Sequence, residues 1–357
     1  MMEPLKIRSD RKKAYIVILN WNGWRDTVEC LESVFRNDYP LYQVIVCDNN
    51  STDGSLEFIK AWADGRVSVE PGSKDERIIQ CIMPPVKKPL GYAEYNRKEA
   101  ELGGRSDALD VPLILIQTGQ NLGYAGGNNV GLRYALSKGD FDFIWILNND
   151  TVSRSDALSQ LVKSAEKRPD AGIIGSLLIY YKCPDKIQAA GGWLDKKSGN
   201  TRHIEAMESS LKHLDEDKII SKMSYVVGAS MLITSVFLRT VGLLNEEYFL
   251  YYEDVDWAVK ASHKFNLGFA SQSLVYHKEG ASTNADRLNE MGLVAQYFAF
   301  RNKFIFIKKY FPKYLPLISL NVFIYLIWVI CLGKFALAKA IIYAVIGAPP
   351  PKNKIRT

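Results

Sequence analysis

The chain has 357 residues, 47% hydrophobic and 24% charged, with 25 Gly and 14 Pro; that is the size of one large or two average domains, and disordered, collagen-like and heptad-repeat architectures are excluded. Ten Lys/Arg and no Asp/Glu fall between Arg301 and Thr357, so the first 300 residues carry 35 basic against 39 acidic groups and the formal +6 belongs to the C-terminal end. A nucleic-acid-binding body needs a basic face of its own and is excluded on this distribution. Five scattered cysteines without a C-x-x-C pair argue against a disulfide framework or a zinc site.

The polar start, residues 1–13, lacks the apolar core of a signal peptide, which predicts a cytoplasmic body. Residues 14–20 (AYIVILN) read as a buried strand, 27–35 as an amphipathic helix, 43–47 (QVIVC) as a second strand and 56–63 as a second helix. The stretch 68–111, with several prolines, mixed charge and no clear period, reads as a solvated insertion. The rhythm resumes with a strand at 113–117 (LILIQ), a helix to 137, a strand at 143–147 (FIWIL), a helix at 155–167 and an apolar run at 171–179. A helix at 254–265 and a short strand at 274–276 follow a Gly/Lys-rich interval. Strands alternating with helices predict an α/β fold, a single mostly parallel sheet flanked by helices, whose ligands bind beyond the carboxyl ends of the strands.

Residues 315–333 contain no charge and would form a helix of about 28 Å, close to a bilayer core of about 30 Å. A shorter apolar stretch, 335–348, follows. Basic residues flank both sides, a symmetry that favours a re-entrant hairpin or in-plane helices over a single span. The domain reading is a nucleotide-binding body over 1–285, carrying the insertion, and a membrane-associating helical tail over 286–357.

Three loops lie at strand tips on the edge that the fold rule selects. The second strand ends in Asp48-Asn49-Asn50-Ser51-Thr52-Asp53-Gly54-Ser55, the third in Asn121-Leu122-Gly123-Tyr124-Ala125-Gly126-Gly127-Asn128-Asn129, and the fourth in Asn148-Asn149-Asp150-Thr151. Carboxylates and small polar residues there suit a sugar, a base or a cation, and glycines allow close backbone approach. Further on stand Gly242-Leu243-Leu244-Asn245-Glu246-Glu247-Tyr248-Phe249-Leu250-Tyr251-Tyr252-Glu253-Asp254-Val255-Asp256-Trp257 and Val275-Tyr276-His277.

In this order the motifs resemble glycosyltransferase family 2, inverting sugar transferases of the GT-A fold, with the rhamnosyltransferase-like branch nearest; the match runs from about Ala14 to His277 and more loosely to Arg301-Asn302. The resemblance implies that Asp48, Asn20, Asn22, Asn50, Asn121, Gly123, Asn128 and Asn149 bind the nucleotide-sugar donor. Asp150 and His277 would hold a divalent cation, Mg²⁺ or Mn²⁺. Asn148 stands where the family's D-x-D motif has its first carboxylate. Asp254 falls on the catalytic base with Glu253 beside it, and Gly228-Ala229 match an acceptor-side segment. The implied acceptor is a glycan or a lipid-linked glycan, the implied sugar a hexose such as rhamnose, and the implied location the cytoplasmic face of the membrane. A sugar-phosphate nucleotidyltransferase and a non-catalytic membrane adaptor are the competing readings.

Overall fold

The computed structural model describes residues 12–105, 111–278 and 292–350. The predicted boundary at 285/286 and the basic residues 352–356 lie outside them. The first half is a run of β/α units: β1 (Ala14–Asn20), α1 (Trp24–Val34), β2 (Tyr42–Asp48), α2 (Ser55–Ala63), α3 (Glu76–Ile82), β3 (Tyr92–Asn96), α4 (Arg97–Glu101), β4 (Leu113–Gln117), α5 (Gly123–Lys138) and β5 (Phe143–Asn148). The second half adds β6 (Thr151–Ser153), α6 (Ala157–Lys167), β7 (Ala171–Tyr180), β8 (Ile187–Ala189), β9 (Gly192–Leu194), β10 (Thr201–His203), α7 (Glu216–Lys222), β11 (Ser230–Thr234), α8 (Ser235–Val241), α9 (Glu253–Ala261) and β12 (Asn266–His277). Three helices close the chain: α10 (Leu293–Tyr310), α11 (Leu315–Cys331) and α12 (Phe335–Ile346).

One sheet runs in the order β3-β4-β2-β1-β5-β11-β7-β12-β6, with β8 on β7; β9 and β10 form a separate hairpin. The strands from β3 to β5 are parallel, and β11 enters antiparallel between β5 and β7. Their apolar runs are buried on both faces, as central parallel strands require. The register sets Asn20 beside Asp48, Leu19 beside Asn148, and His277 beside Thr151. The candidate residues of four loops are thereby collected at one sheet edge.

Helix α5 carries Gly126, Gly127 and Gly131, which in an exposed helix would each cost about 1 kcal/mol against Ala. Here a Cβ on Gly127 would stand 2.4 Å from a Leu19 methyl, and one on Gly131 2.7 Å from Val17. The glycines let the helix lie directly on β1, bringing its N-terminus over the strand tips.

The stretch 68–111 is not a solvated excursion. Strand β3 is an edge of the main sheet, parallel to β4, and Ile78 and Ile82 of α3 pack with Val152, Ile179 and Tyr276. The signal was the alternation in Tyr92–Asn96, whose Ala93 and Tyr95 point inward, but five residues with Glu94 among them were too short a period to stand out. Replacing 68–110 with a short Gly/Ser link, tolerable for a loop, is now expected to give no cooperatively folded protein. Three buried side chains, Ile78, Ile82 and Tyr95, would be lost at about 2–5 kcal/mol each. Soluble yield and a thermal unfolding scan check this.

The predicted short strand at 274–276 is the end of a twelve-residue strand. Its pairing with β7 shifts register between Ala270 and Leu274, and the polar Ser271-Gln272-Ser273 at that irregularity hid the continuity. In α11, Ile318, Val322 and Val329 form one buried stripe toward α10 and α12, while Leu320, Phe323, Ile324 and Trp328 are exposed.

Candidate active site

Asp48 ends β2 buried and fully engaged: Asn20 Nδ2 donates to Oδ1 at 2.7 Å, Ser51 Oγ to the same atom at 2.6 Å, and the Ser51 amide to Oδ2 at 3.1 Å. Asn22, left-handed at φ 50°, donates its amide to Ser51 Oγ and accepts from the Thr52 amide at 2.7 Å, so it builds the loop. Asn50, at φ 63°, is the exposed member. Asn149 turns inward: its amide donates to Thr27 Oγ1 at 3.0 Å and to Asn20 Oδ1 at 3.4 Å. Its Nδ2 thereby braces the two strand tips.

Asn49, to which the sequence reading gave no role, organises the next loop. Its Oδ1 accepts from the Leu122 amide at 3.0 Å, and its Nδ2 donates to Asn121 Oδ1 at 3.0 Å and to the Gly123 carbonyl. Asn121 also accepts from the Gly123 amide. Gly123 (φ +70°) is required by protein: an added Cβ would stand 2.2 Å from the Phe249 carbonyl oxygen, which accepts from the Tyr124 amide at 2.7 Å. Asn128 is 1% exposed, donates to the Tyr124 carbonyl, and its Oδ1 has no partner among the described residues. These three residues shape the floor.

Asp150, in the β5–β6 turn, and His277, at the end of β12, do converge: Oδ1 and Nε2 are 3.2 Å apart. The imidazole Nδ1 faces Gln188 Oε1 at 2.9 Å, so Nδ1 carries the proton donated to that carbonyl. The lone pair of a neutral Nε2 would then face a carboxylate oxygen, an arrangement that a proton or a cation between them resolves. Two atoms each about 2.1 Å from one octahedral ion stand about 3.0 Å apart, so the observed spacing fits a divalent cation. Gln188 supplies the outer hydrogen bond that orients metal-binding histidines. No group of three His, Cys, Asp or Glu converges among the described residues, so remaining ligands would be water or donor oxygens. Burial pushes the Asp150 carboxyl up, but the charge and hydrogen bond of His277, with Lys278, outweigh it and hold it below its ordinary value. Lys278 is itself held by Asp26 and Glu29 of α1, fixing the chain directly after His277.

Across the site, α9 begins after two left-handed tyrosines, Tyr251 (φ 70°) and Tyr252 (φ 73°), a conformation costly for bulky residues and held only when surroundings enforce it. The carboxylate of Asp254 accepts from the Val255 amide at 2.8 Å and the Gly228 amide at 3.1 Å. Burial pushes its pKa up to about 6 against those donated bonds. Glu253 is 5% exposed, with Oε2 unpartnered among the described residues; burial, then the neighbouring Asp254 charge, push its pKa well above the ordinary glutamate value. The two neighbouring carboxyls thus differ in their hydrogen bonding: Asp254 accepts two backbone amides, whereas Glu253 Oε2 accepts none. Tyr124 Oη donates to the Gly228 carbonyl at 2.6 Å and senses the charges of Glu253, Asp254 and Asp150 together. That side chain is the wall between the two halves of the site.

Helix α10, assigned by sequence to the tail, supports the base. Asn302 is fully buried, and its Nδ2 donates to the Leu250 and Tyr251 carbonyls at 2.8 and 2.9 Å. Lys309 Nζ donates to Asp256 Oδ1 at 2.8 Å. Asn302→Leu, near in volume but unable to donate, is expected to slow transfer about 10- to 100-fold. Each stranded carbonyl costs about 1–3 kcal/mol, and the strained turn before Asp254 relaxes. Nucleotide affinity, measured by calorimetry, should change less than the rate, because the bonds that hold Asp48 come from Asn20 and Ser51 and not from this turn.

Residues 15–80 and 100–220 match the model of Glycosyl transferase family 2. Relatives include the low-salt glycan biosynthesis hexosyltransferase Agl10 of Haloferax volcanii, 25% identical over 229 residues, which cover 62% of this chain and 70% of that protein. The dTDP-rhamnosyl transferase RfbF of Shigella flexneri is 24% identical over 55% of this chain and 63% of its own length. The fold is shared with the mannosyltransferase PcManGT of Pyrobaculum calidifontis, solved with GDP-Man and Mn²⁺, at TM-score 0.50 and 14% identity over 98% of this chain and 80% of that one. It is shared also with GalNAc-T7, solved with UDP, GalNAc and Mn²⁺, at TM-score 0.54 and 13% identity over 86% and 49%. With the family model matching more than half of its residues, and with strand-tip carboxylates arranged around one cleft on a GT-A-like sheet, this chain belongs to glycosyltransferase family 2.

Proposed function

We propose that the protein is an inverting, cation-assisted glycosyltransferase that moves a hexose from a nucleoside diphosphate to a lipid-linked glycan acceptor at a membrane surface. One observation carries the reading: Tyr124 separates a chelating pair, Asp150 and His277, from a half-buried carboxylate, Asp254, of raised pKa. A divalent cation, when bound, supplies positive charge for the leaving diphosphate, and Asp150 and His277 would hold it. Asp48, immobilised by Asn20 and Ser51, offers fixed acceptor oxygens to the nucleoside. Asp254 removes the proton of the acceptor hydroxyl as it attacks. Attack from the face opposite the diphosphate is a single displacement, which inverts the anomeric centre. Rhamnose as the hexose rests on the resemblance to rhamnosyltransferases, and Mn²⁺ on the ion with which PcManGT and GalNAc-T7 were solved.

Pro312–Cys331 is long and apolar enough to cross a membrane. One stripe of α11 packs on α10 and α12 while its other faces are exposed, which supports a helix lying along the bilayer with the body on its cytoplasmic face. A panel of nucleoside-diphosphate hexoses, with and without Mn²⁺ or Mg²⁺, tests the reading: transfer should need the ion, and NMR of the product should show the opposite anomer. Retention of configuration, or ion-independent transfer, would sink it.

A further inference from the structure

An open cavity of about 450 Å³ lies outside the cleft, lined among others by Trp193, Lys196, Lys197, Lys222, Ser224 and Tyr314. Its lining holds three lysines and a single carboxylate, Asp195, which is spent internally on Ser198 Oγ at 2.7 Å and the Lys197 amide at 3.0 Å. The other nearby acid, Glu205, is 4.0 Å from Lys222 and already paired with Lys212. Lys196 and Lys197 have no carboxylate partner among the described residues and Lys222 shares Glu205 with Lys212, so the lining keeps a net positive charge. Arg202, stacked 4.0 Å over the Trp193 ring, adds a fourth cation at the rim.

Two neighbours indicate what this charge faces. Tyr314 immediately precedes α11, whose exposed Leu317, Leu320, Phe323 and Ile324 leave the same end of the molecule. An anion seated beside Tyr314 lies where a lipid phosphate meets its hydrocarbon chain. On the other side, Ser224 is four residues from Gly228, the amide donor to Asp254, a distance of at most about 14 Å along the chain. Leu194, in the cavity lining, shares a buried cluster with Tyr252, Val255 and Ile318. The cavity thus joins the apolar helix to the base.

We infer that this cavity binds the phosphate of a lipid-linked acceptor, with the lipid chain along α11 and the acceptor sugar directed to Asp254. The inference rests on the proposed acceptor class and supplies its binding residues. A free phosphate shares the head-group chemistry but uses none of the apolar surface.

Flotation of the full-length chain with three vesicle types tests it: neutral phosphatidylcholine, the same doped with a polyprenyl phosphate, and the same doped with phosphatidylglycerol to equal charge. The native chain should prefer polyprenyl phosphate over phosphatidylglycerol, and Lys196→Gln/Lys197→Gln/Lys222→Gln should lose about 10- to 100-fold of that preference. Lys222→Glu alone, at an exposed position, should lose part of it. Equal binding to both anionic vesicles, an undiminished preference in the triple variant, or full displacement by matched inorganic diphosphate would each overturn the assignment. Sugar transfer is measured separately. A chain that prefers polyprenyl phosphate yet transfers nothing refutes the proposed function and leaves the cavity standing, whereas an active chain without the preference refutes the cavity alone.

Discussion

Asp254→Asn is expected to keep the fold, the cation and the donor, and to lose about 10²- to 10⁴-fold in transfer rate at saturating donor and acceptor. The Val255 amide donates to one carboxylate oxygen and the Gly228 amide to the other, so asparagine, with a single acceptor oxygen, keeps only one of these bonds while the proton acceptor is lost. The pH dependence follows from the raised pKa. A base acts when ionised, and Asp254 is ionised above about 6, so the native rate should climb through the range around pH 6 and level off above it. An ordinary exposed aspartate, near 3.9, would put that limb two units lower. In the Asn variant the limb should vanish. Glu253→Gln is the contrasting case: burial and the Asp254 charge push the native carboxyl toward the neutral form that a glutamine amide mimics, so the rate should stay within a few-fold. A dead Glu253→Gln beside a near-native Asp254→Asn would reverse the two assignments.

His277→Ala and Asp150→Ala should each weaken the binding of Mn²⁺ with a nucleoside diphosphate by at least about 100-fold. Each removes one of the two groups that the 3.2 Å approach brings together. Gln188→Leu, which leaves both in place but frees the imidazole to rotate, should cost about 10- to 100-fold. Calorimetric titration of the nucleotide with and without Mn²⁺ separates the cases. Native Mn²⁺ dependence in His277→Ala would take the imidazole out of the site, whatever its effect on turnover.

The parts of this architecture legible in the sequence were those written in local pattern. Strands β1, β2, β4 and β5 are buried on both faces, so their apolar runs announced themselves, and the loops at their carboxyl ends gather at one sheet edge as the fold rule expects. The acidic and polar tips at Asp48, Asp150 and Asp254 and the distant His277 were readable as motifs, and the fold brings Asp150 to His277. What stayed hidden depends on long-range packing. Nothing near Asn149 in the chain reveals that its amide points back to Thr27, 122 residues away. Gln188 carries no local signature, and although Tyr124 and Asn302 fall in the quoted motifs, their partners Gly228, Leu250 and Tyr251 arrive from other elements. The raised pKa of Asp254 is hidden for the same reason, since burial contributed by several segments makes it a weaker acid.

The two amide bonds from Asn302 to the Leu250–Tyr251 turn also set an order of assembly. The carbonyls at Leu250 and Tyr251 are synthesised 52 and 51 residues ahead of the side chain that satisfies them. On the ribosome, where N-terminal parts form first, the strand tips that hold nucleotide can be complete while the turn before Asp254 still awaits α10. The next segment to emerge is the apolar helix α11. The turn before Asp254 is therefore among the last parts of the sheet edge to be completed, after every strand tip has been made.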